Sequence, residues 1–139
     1  MYSIEEFDKQ KTKVFKYITY KKRTEQEVRN KFRGQIEENM LEDIIEYLKE
    51  AKYIDDYEFI EKQVREYILL KTMSIKEIEY KLYSKGLDRK LIEKYISQNR
   101  EKLEEYELKC IEKIKEKKSS SMDEREIQQY LYKKGYRCD

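Results

Sequence analysis

Three short segments of this 139-residue chain repeat one another at a spacing of about 50 residues, and that period constrains the fold more than any other feature. Thr24-Glu25-Gln26-Glu27, Ser74-Ile75-Lys76-Glu77 and Asp123-Glu124-Arg125-Glu126 each place a small polar residue three positions before a glutamate. In such a capping box the first side chain accepts a backbone N–H of the helix's first turn, and the glutamate reaches back to the cap's own N–H. An apolar residue follows each box and another comes four residues later: Val28 and Phe32, Ile78 and Leu82, Ile127 and Leu131. Those pairs lie one turn apart on a single helix face.

The correspondence continues on both sides of the first two caps. Val14 matches Val64, Ile18 matches Ile68, Leu41 matches Leu91 and Ile45 matches Tyr95. Each unit therefore reads as three helices whose apolar faces are buried by one another and by neighbouring units. The expected helices are Lys11–Lys22, Glu25–Arg33 and Glu37–Glu50, then Asp56–Lys71, Ile75–Ser84 and Asp88–Gln98. A long helix over Glu101–Lys117, with Leu108, Ile111 and Ile114 as its sparse apolar stripe, opens the third unit. Ser119-Ser120-Ser121 ends that helix before the third cap.

The fold class expected is all-α, with tandem three-helix repeats in an elongated, curved array. The modules are 1–51, 52–99 and a truncated 100–139. The last would leave the stripe of Ile127, Tyr130 and Leu131 short of cover and prone to fray. Gly86 falls where a helix C-terminus needs a left-handed residue, with Asp88 as the next cap, and Gly135 repeats the placement. In the first unit Ile36 stands at the corresponding position, with Gly34 two residues earlier, which predicts a different turn.

Composition supports the helical reading. The sequence has no proline and three glycines, and 45% of it is charged against 38% hydrophobic, so only thin apolar stripes can be buried. Cys110 and Cys138 have no CxxC spacing and no histidine to join them, and read as reduced thiols. No signal peptide and no membrane-length apolar run is visible, so a cytoplasmic location without membrane association is expected.

A net charge of +2 argues against a protein that coats nucleic acid by bulk phosphate neutralisation. Its distribution is uneven. Between Lys9 and Arg33 ten cations face only Glu25 and Glu27, whereas residues 37–50 are mostly acidic. The candidates for contact with an anionic partner are Lys21, Lys22, Arg23, Arg29, Lys31 and Arg33 around the first cap. Arg65, Lys81 and Lys85 follow in the second unit, and Lys133, Lys134 and Arg137 in the third. Lys31 and Lys81, each three residues after the first apolar position of its box, would project alike and start a row of cations. For each, a solvated charge or an i,i+4 ion pair is the competing reading.

Fourteen tyrosines are present, several beside lysines: Tyr17, Tyr20, Tyr83, Tyr132 and Tyr136. Aromatics interleaved with cations can stack bases while the cations hold phosphates; otherwise they are rim residues of a thin core with wet hydroxyls. Asp55 and Asp56 could be paired carboxylates, but their place just before a helix makes them caps. Phe59, Val64 and Ile68 read as core, with Phe59 anchoring one module on the previous one. Without histidine, a glycine-rich phosphate loop or an activated cysteine, the chain reads as a binding protein with no catalytic residues, cofactor or metal.

The order and spacing of certain motifs resemble one family. Thr24-Glu25-Gln26-Glu27-Val28 is followed by the Leu41–Leu48 helix and the junction Tyr53-Ile54-Asp55-Asp56-Tyr57-Glu58-Phe59. Ser74-Ile75-Lys76-Glu77-Ile78 and Lys85-Gly86 complete the series. Over about Lys13 to Tyr136 this is similar to the bacterial RecX regulatory proteins, modulators of the RecA recombinase. The resemblance implies a monomeric rod of three-helix modules lying in the groove of the RecA–DNA filament. There it would lower ATP hydrolysis and strand exchange by impeding filament growth or promoting disassembly. The shortened third module and the absent glycine at Ile36 depart from the pattern. The alternatives are a direct DNA-binding repeat protein with helix–turn–helix-like modules, even if binding is weak, and a generic helical scaffold.

Overall fold

The computed structural model describes residues 2–70 and 72–137. Those residues form eight helices and no strand: α1 (Ile4–Tyr20), α2 (Glu25–Phe32), α3 (Glu38–Glu50), α4 (Asp56–Leu70), α5 (Ile75–Ser84), α6 (Arg89–Gln98), α7 (Arg100–Lys118) and α8 (Glu124–Lys134). The all-α repeat expected from the sequence is the fold observed. The expected end of the fourth helix at Lys71, and the thiol of Cys138, lie outside the described residues.

Local hydrogen bonding explains why the helices start where they do. All three capping boxes form: the Thr24, Ser74 and Asp123 side chains accept the N–H groups of Glu27, Glu77 and Glu126 at 2.9–3.1 Å, and the three glutamates accept the cap N–H groups in return. Asp55 caps α4 through the Glu58 N–H, and Asp88 caps α6 through the Lys90 N–H. α1 begins seven residues before the expected Lys11, because the Ser3 hydroxyl accepts the Glu6 N–H at 3.1 Å. Ser3-Ile4-Glu5-Glu6 carries the same cap signature as the other three.

The chain divides into two compact units, residues 1–59 with 85–87, and residues 60–84 with 88–139. In the first, α1, α2 and α3 pack on one another. Leu41, Ile44, Ile45 and Leu48 form a stripe along α3 that meets Val14 and Ile18 of α1 and Val28 and Phe32 of α2 in one core. Burying a side chain of this size stabilises the fold by about 2 kcal/mol. Ile54 closes that core after the chain leaves α3 through Lys52, a left-handed non-glycine residue with φ 64°; the Tyr53 N–H then bonds back to the Leu48 carbonyl at 2.8 Å.

The turn after α2 resolves the position of Ile36. α2 has 8 residues where α5 has 10, so Gly34, with φ 82°, already supplies the left-handed residue that Gly86 and Gly135 supply elsewhere. Ile36 is buried, as are Leu87 and Tyr136, the residues that follow the other two glycines. Ile36 is thus their counterpart rather than a replacement for glycine.

In the second unit α7 packs on α5, α6 and α8. Its buried face differs from the stripe expected. Leu103, Glu107, Cys110, Ile111 and Ile114 point inward, while Leu108 is 62% exposed. Glu107, only 4% exposed, takes the inward place because its carboxylate accepts the Ile75 N–H at the start of α5 at 2.8 Å. Ile127 and Leu131 of α8 are buried with Cys110, Ile111, Ile114 and Tyr136, and Tyr130 packs against them. The stripe expected to lack cover is therefore covered by α7. In α4, Val64 is buried as expected, but Ile60 and Tyr67 complete that face and Phe59 and Ile68 are only half-buried.

Candidate functional site

The basic residues fall into two groups once their partners are seen. Arg29 is held on both sides: Nη1 and Nη2 each donate to Glu42 at 2.7 Å, and Nε donates to Glu25 at 3.1 Å. The bidentate bonds from Glu42 push its pKa upward against the effect of burial. Glu25 also pairs with Lys49 at 3.0 Å, and Lys22 pairs with Glu58. The Arg23 guanidinium lies 4.3 Å from the centre of the Tyr17 ring, and its Nε is buried without a hydrogen-bond partner. Lys31 approaches the same ring at 5.9 Å. Lys21 and Arg33 are exposed. Much of the cation-rich segment 9–33 is thus matched by carboxylates and rings within its own unit.

Arg65 stands exposed on α4, and Lys85 is half-buried, its carbonyl accepting the Thr24 hydroxyl at 3.4 Å. Arg137 donates to Glu104 at 3.3 Å, and its N–H points to Glu107 at 3.4 Å. The remaining candidates come together. Lys81 from α5 and Lys133 and Lys134 from α8 line one cleft of about 480 Å³, with Lys76, Glu77, Tyr80, Tyr132, Gly135 and Tyr136.

This cleft is built by the repeat itself. Ser74 donates its hydroxyl to the Lys134 carbonyl at 2.6 Å, and a Cβ on Gly135 would stand 3.0 Å from the Lys76 Cβ. The missing side chain at Gly135 is what lets the end of α8 approach the start of α5 so closely. Tyr136 turns inward and donates to the Thr72 carbonyl at 2.9 Å. Tyr80 and Tyr132 stay outside, 73% and 77% exposed.

Four lysines face one carboxylate in the cleft. Glu77 is already engaged by the Ser74 N–H at 3.0 Å and by Lys134 at 3.7 Å, and Lys134 also donates to the Thr72 carbonyl at 3.2 Å. Among the described residues no carboxylate pairs with Lys76, Lys81 or Lys133. The result is an excess of unpaired positive charge flanked by two wet aromatic faces, which suits an anionic, partly aromatic ligand.

Of the tyrosines singled out in the sequence, Tyr132 is in the cleft and Tyr20 and Tyr83 are exposed elsewhere. Tyr17 packs edge-on against Phe32 with ring centres 5.5 Å apart, and Tyr136 is core. Sequence reasoning passed over Lys76 and Tyr80. Tyr80 has the same adjacent-lysine signal as Tyr132, but only the approach of α8 separates it from tyrosines that face open solvent.

No family model matches the chain. Among curated proteins it is 29% identical, over an alignment of 147 positions, to the regulatory protein RecX of Staphylococcus epidermidis, covering 100% of this chain and 55% of the relative. It is 30% identical to that of Oceanobacillus iheyensis, covering 86% of this chain and 46% of the relative. The chain thus spans about half the length of these relatives. Among solved structures, RecX from Lactobacillus salivarius superposes with a TM-score of 0.80 at 26% identity, over 97% of this chain and 91% of that one. A second RecX crystal structure, at 24% identity and a TM-score of 0.74, has the same fold. Relatives named RecX throughout, and a shared fold over nearly the whole chain, make this chain similar in sequence and fold to the RecX regulatory proteins.

Proposed function

We propose that this chain binds the RecA filament on DNA and lowers its ATP hydrolysis and strand exchange, acting in the cytoplasm as a regulator without catalysis of its own. The observation that carries this reading is the RecX fold matched along nearly the whole chain, with relatives named as regulatory proteins. The lysine-lined cleft supports it, because a protein–DNA filament presents phosphates and carboxylates to whatever lies along it. Among the described residues no helix is long and apolar enough to cross a membrane.

The test is a RecA ATPase assay on single-stranded DNA with increasing amounts of this protein. Turnover falls at substoichiometric to stoichiometric protein. Unchanged turnover at saturating protein would remove the reading.

A further inference from the structure

We propose that the cleft between α5 and α8 holds a short run of single-stranded DNA, with Tyr80 and Tyr132 stacking on bases while Lys76, Lys81 and Lys133 meet the flanking phosphates. The choice of DNA over RNA rests on the function proposed above; the rest stands on the cleft's chemistry.

Charge, rather than volume, singles out this cleft. A hollow of about 580 Å³ beside α2 and α3 is larger, and it contains Arg29 and Arg33. Glu37, Glu38 and Glu42 line it too, and Glu42 already holds Arg29. An anion entering there meets more carboxylate than free cation. A third surface, around Tyr2, Phe7 and Tyr47, has aromatic rings but is lined by Asp43, Glu46 and Glu50. Lys11 sits 4.3 Å from the Tyr47 ring centre. Of these three surfaces, the α5–α8 cleft is the one that, among the described residues, combines unpaired lysines with exposed rings.

The rings decide between anionic ligands. An acidic peptide would be served by the lysines alone, and a duplex offers phosphates but keeps its base faces stacked internally. Unstacked bases present π-faces that two solvated tyrosines can cover, and stacking of this kind tolerates any base sequence. The tyrosine hydroxyls and lysine ammonium groups remain at the rim, where sugar and phosphate oxygens would lie. Three phosphates neutralised by lysines release their condensed counterions, which corresponds to a slope of about −2 in log K against log salt for a single strand.

The experiment is fluorescence anisotropy of a labelled oligothymidine with the full chain, repeated for Tyr80→Ala/Tyr132→Ala and Tyr80→Phe/Tyr132→Phe. Circular dichroism checks that both variants remain helical. The alanine pair binds at least about tenfold more weakly, because each lost stack is worth about that factor or more, and the phenylalanine pair binds like the parent. Absence of oligothymidine binding, equal binding by the alanine pair, tighter binding of oligouridine, or equal displacement by polyglutamate of the same charge would each overturn the proposal. The RecA ATPase assay on the same preparations separates the two readings. Tyrosine-dependent DNA binding with no effect on RecA removes the filament reading and supports the cleft, whereas RecA inhibition with tyrosine-independent DNA binding does the reverse.

Discussion

The Ser74 hydroxyl donates to the Lys134 carbonyl at 2.6 Å while its oxygen accepts the Glu77 N–H at 3.1 Å. One side chain thereby caps α5 and fastens the end of α8 to it. Thr24 does the same 50 residues earlier, capping α2 and donating to the Lys85 carbonyl at 3.4 Å. The carboxylates follow the pattern as well: Asp56 accepts the Glu25 N–H at 3.0 Å, and Glu107 accepts the Ile75 N–H at 2.8 Å. Period and cap chemistry are therefore one device, in which α2 and α5 are each started by their own cap and by a carboxylate from the helix that opens the next repeat.

Removing the buried cap tests that device. Ser74→Ala deletes a helix cap and leaves the half-buried Lys134 carbonyl without its donor, so it costs about 2–3 kcal/mol in urea denaturation. Asp123→Ala removes an exposed cap with no second bond and costs about 1 kcal/mol. Equal losses would show that the Ser74–Lys134 bond adds nothing to the cap.

The turn residues give a graded series. Gly34 has φ 82° and no heavy atom within 4 Å of where a Cβ would stand, so Gly34→Ala costs only the left-handed strain, about 1 kcal/mol. At Gly86 the Cβ would stand 2.8 Å from the Gln26 Cβ and Cγ, so Gly86→Ala adds a collision to similar strain and costs about 2–4 kcal/mol. Lys52 is the converse, a side chain already held at φ 64°, and Lys52→Gly stabilises by about 0.5–1 kcal/mol. Thermal midpoints rank the three variants directly.

Much of this was legible in the sequence because caps and periodicity are local. Thr24, Ser74 and Asp123 mark their helices without reference to anything distant, and the Ser3 box would have placed the start of α1 had it been read. What was not legible depends on approach between elements. Nothing in its neighbourhood says that Glu107 rather than Leu108 faces inward, because the reason is the Ile75 N–H some thirty residues away. Arg29 and Lys81 both look like free cations of capped helices. Only packing shows that α3 brings Glu42 to Arg29, while Glu77 is drawn from Lys81 towards Ser74 and Lys134.

Acid stability contains two opposing contributions around the start of α2. Burial raises the pKa of Asp56 above its usual value of 3.8, the Glu25 N–H offsetting only part of the effect. Its contribution is full below the unfolded pKa and is lost as pH rises through the folded one. At Glu25 burial also opposes ionisation, but hydrogen bonds from Lys49 and Arg29 reverse it and hold the pKa below 4.5; Glu42 is lowered by its hydrogen bonds to Arg29. Those two contributions are present above 4.5 and lost as pH falls through the folded values. Asp56→Asn removes the opposing carboxyl and steepens the acid loss of stability, whereas Arg29→Met flattens it. Urea midpoints between about pH 3 and 6 distinguish the two slopes.

The same contrast separates fold from contact in the cation set. Lys81 is exposed in the cleft with no ion pair among the described residues, so Lys81→Glu shifts stability by less than about 0.5 kcal/mol. Arg29→Glu places a third carboxylate between Glu25 and Glu42 and costs about 2–4 kcal/mol. If the cleft meets anionic ligand, Lys81→Glu weakens oligothymidine binding about tenfold and reduces its salt slope with the fold intact. Arg29→Glu changes binding only as far as it unfolds the protein. Measuring both variants by urea denaturation and by anisotropy assigns each lysine or arginine to one role, and a Lys81→Glu protein that binds like the parent removes Lys81 from the contact surface.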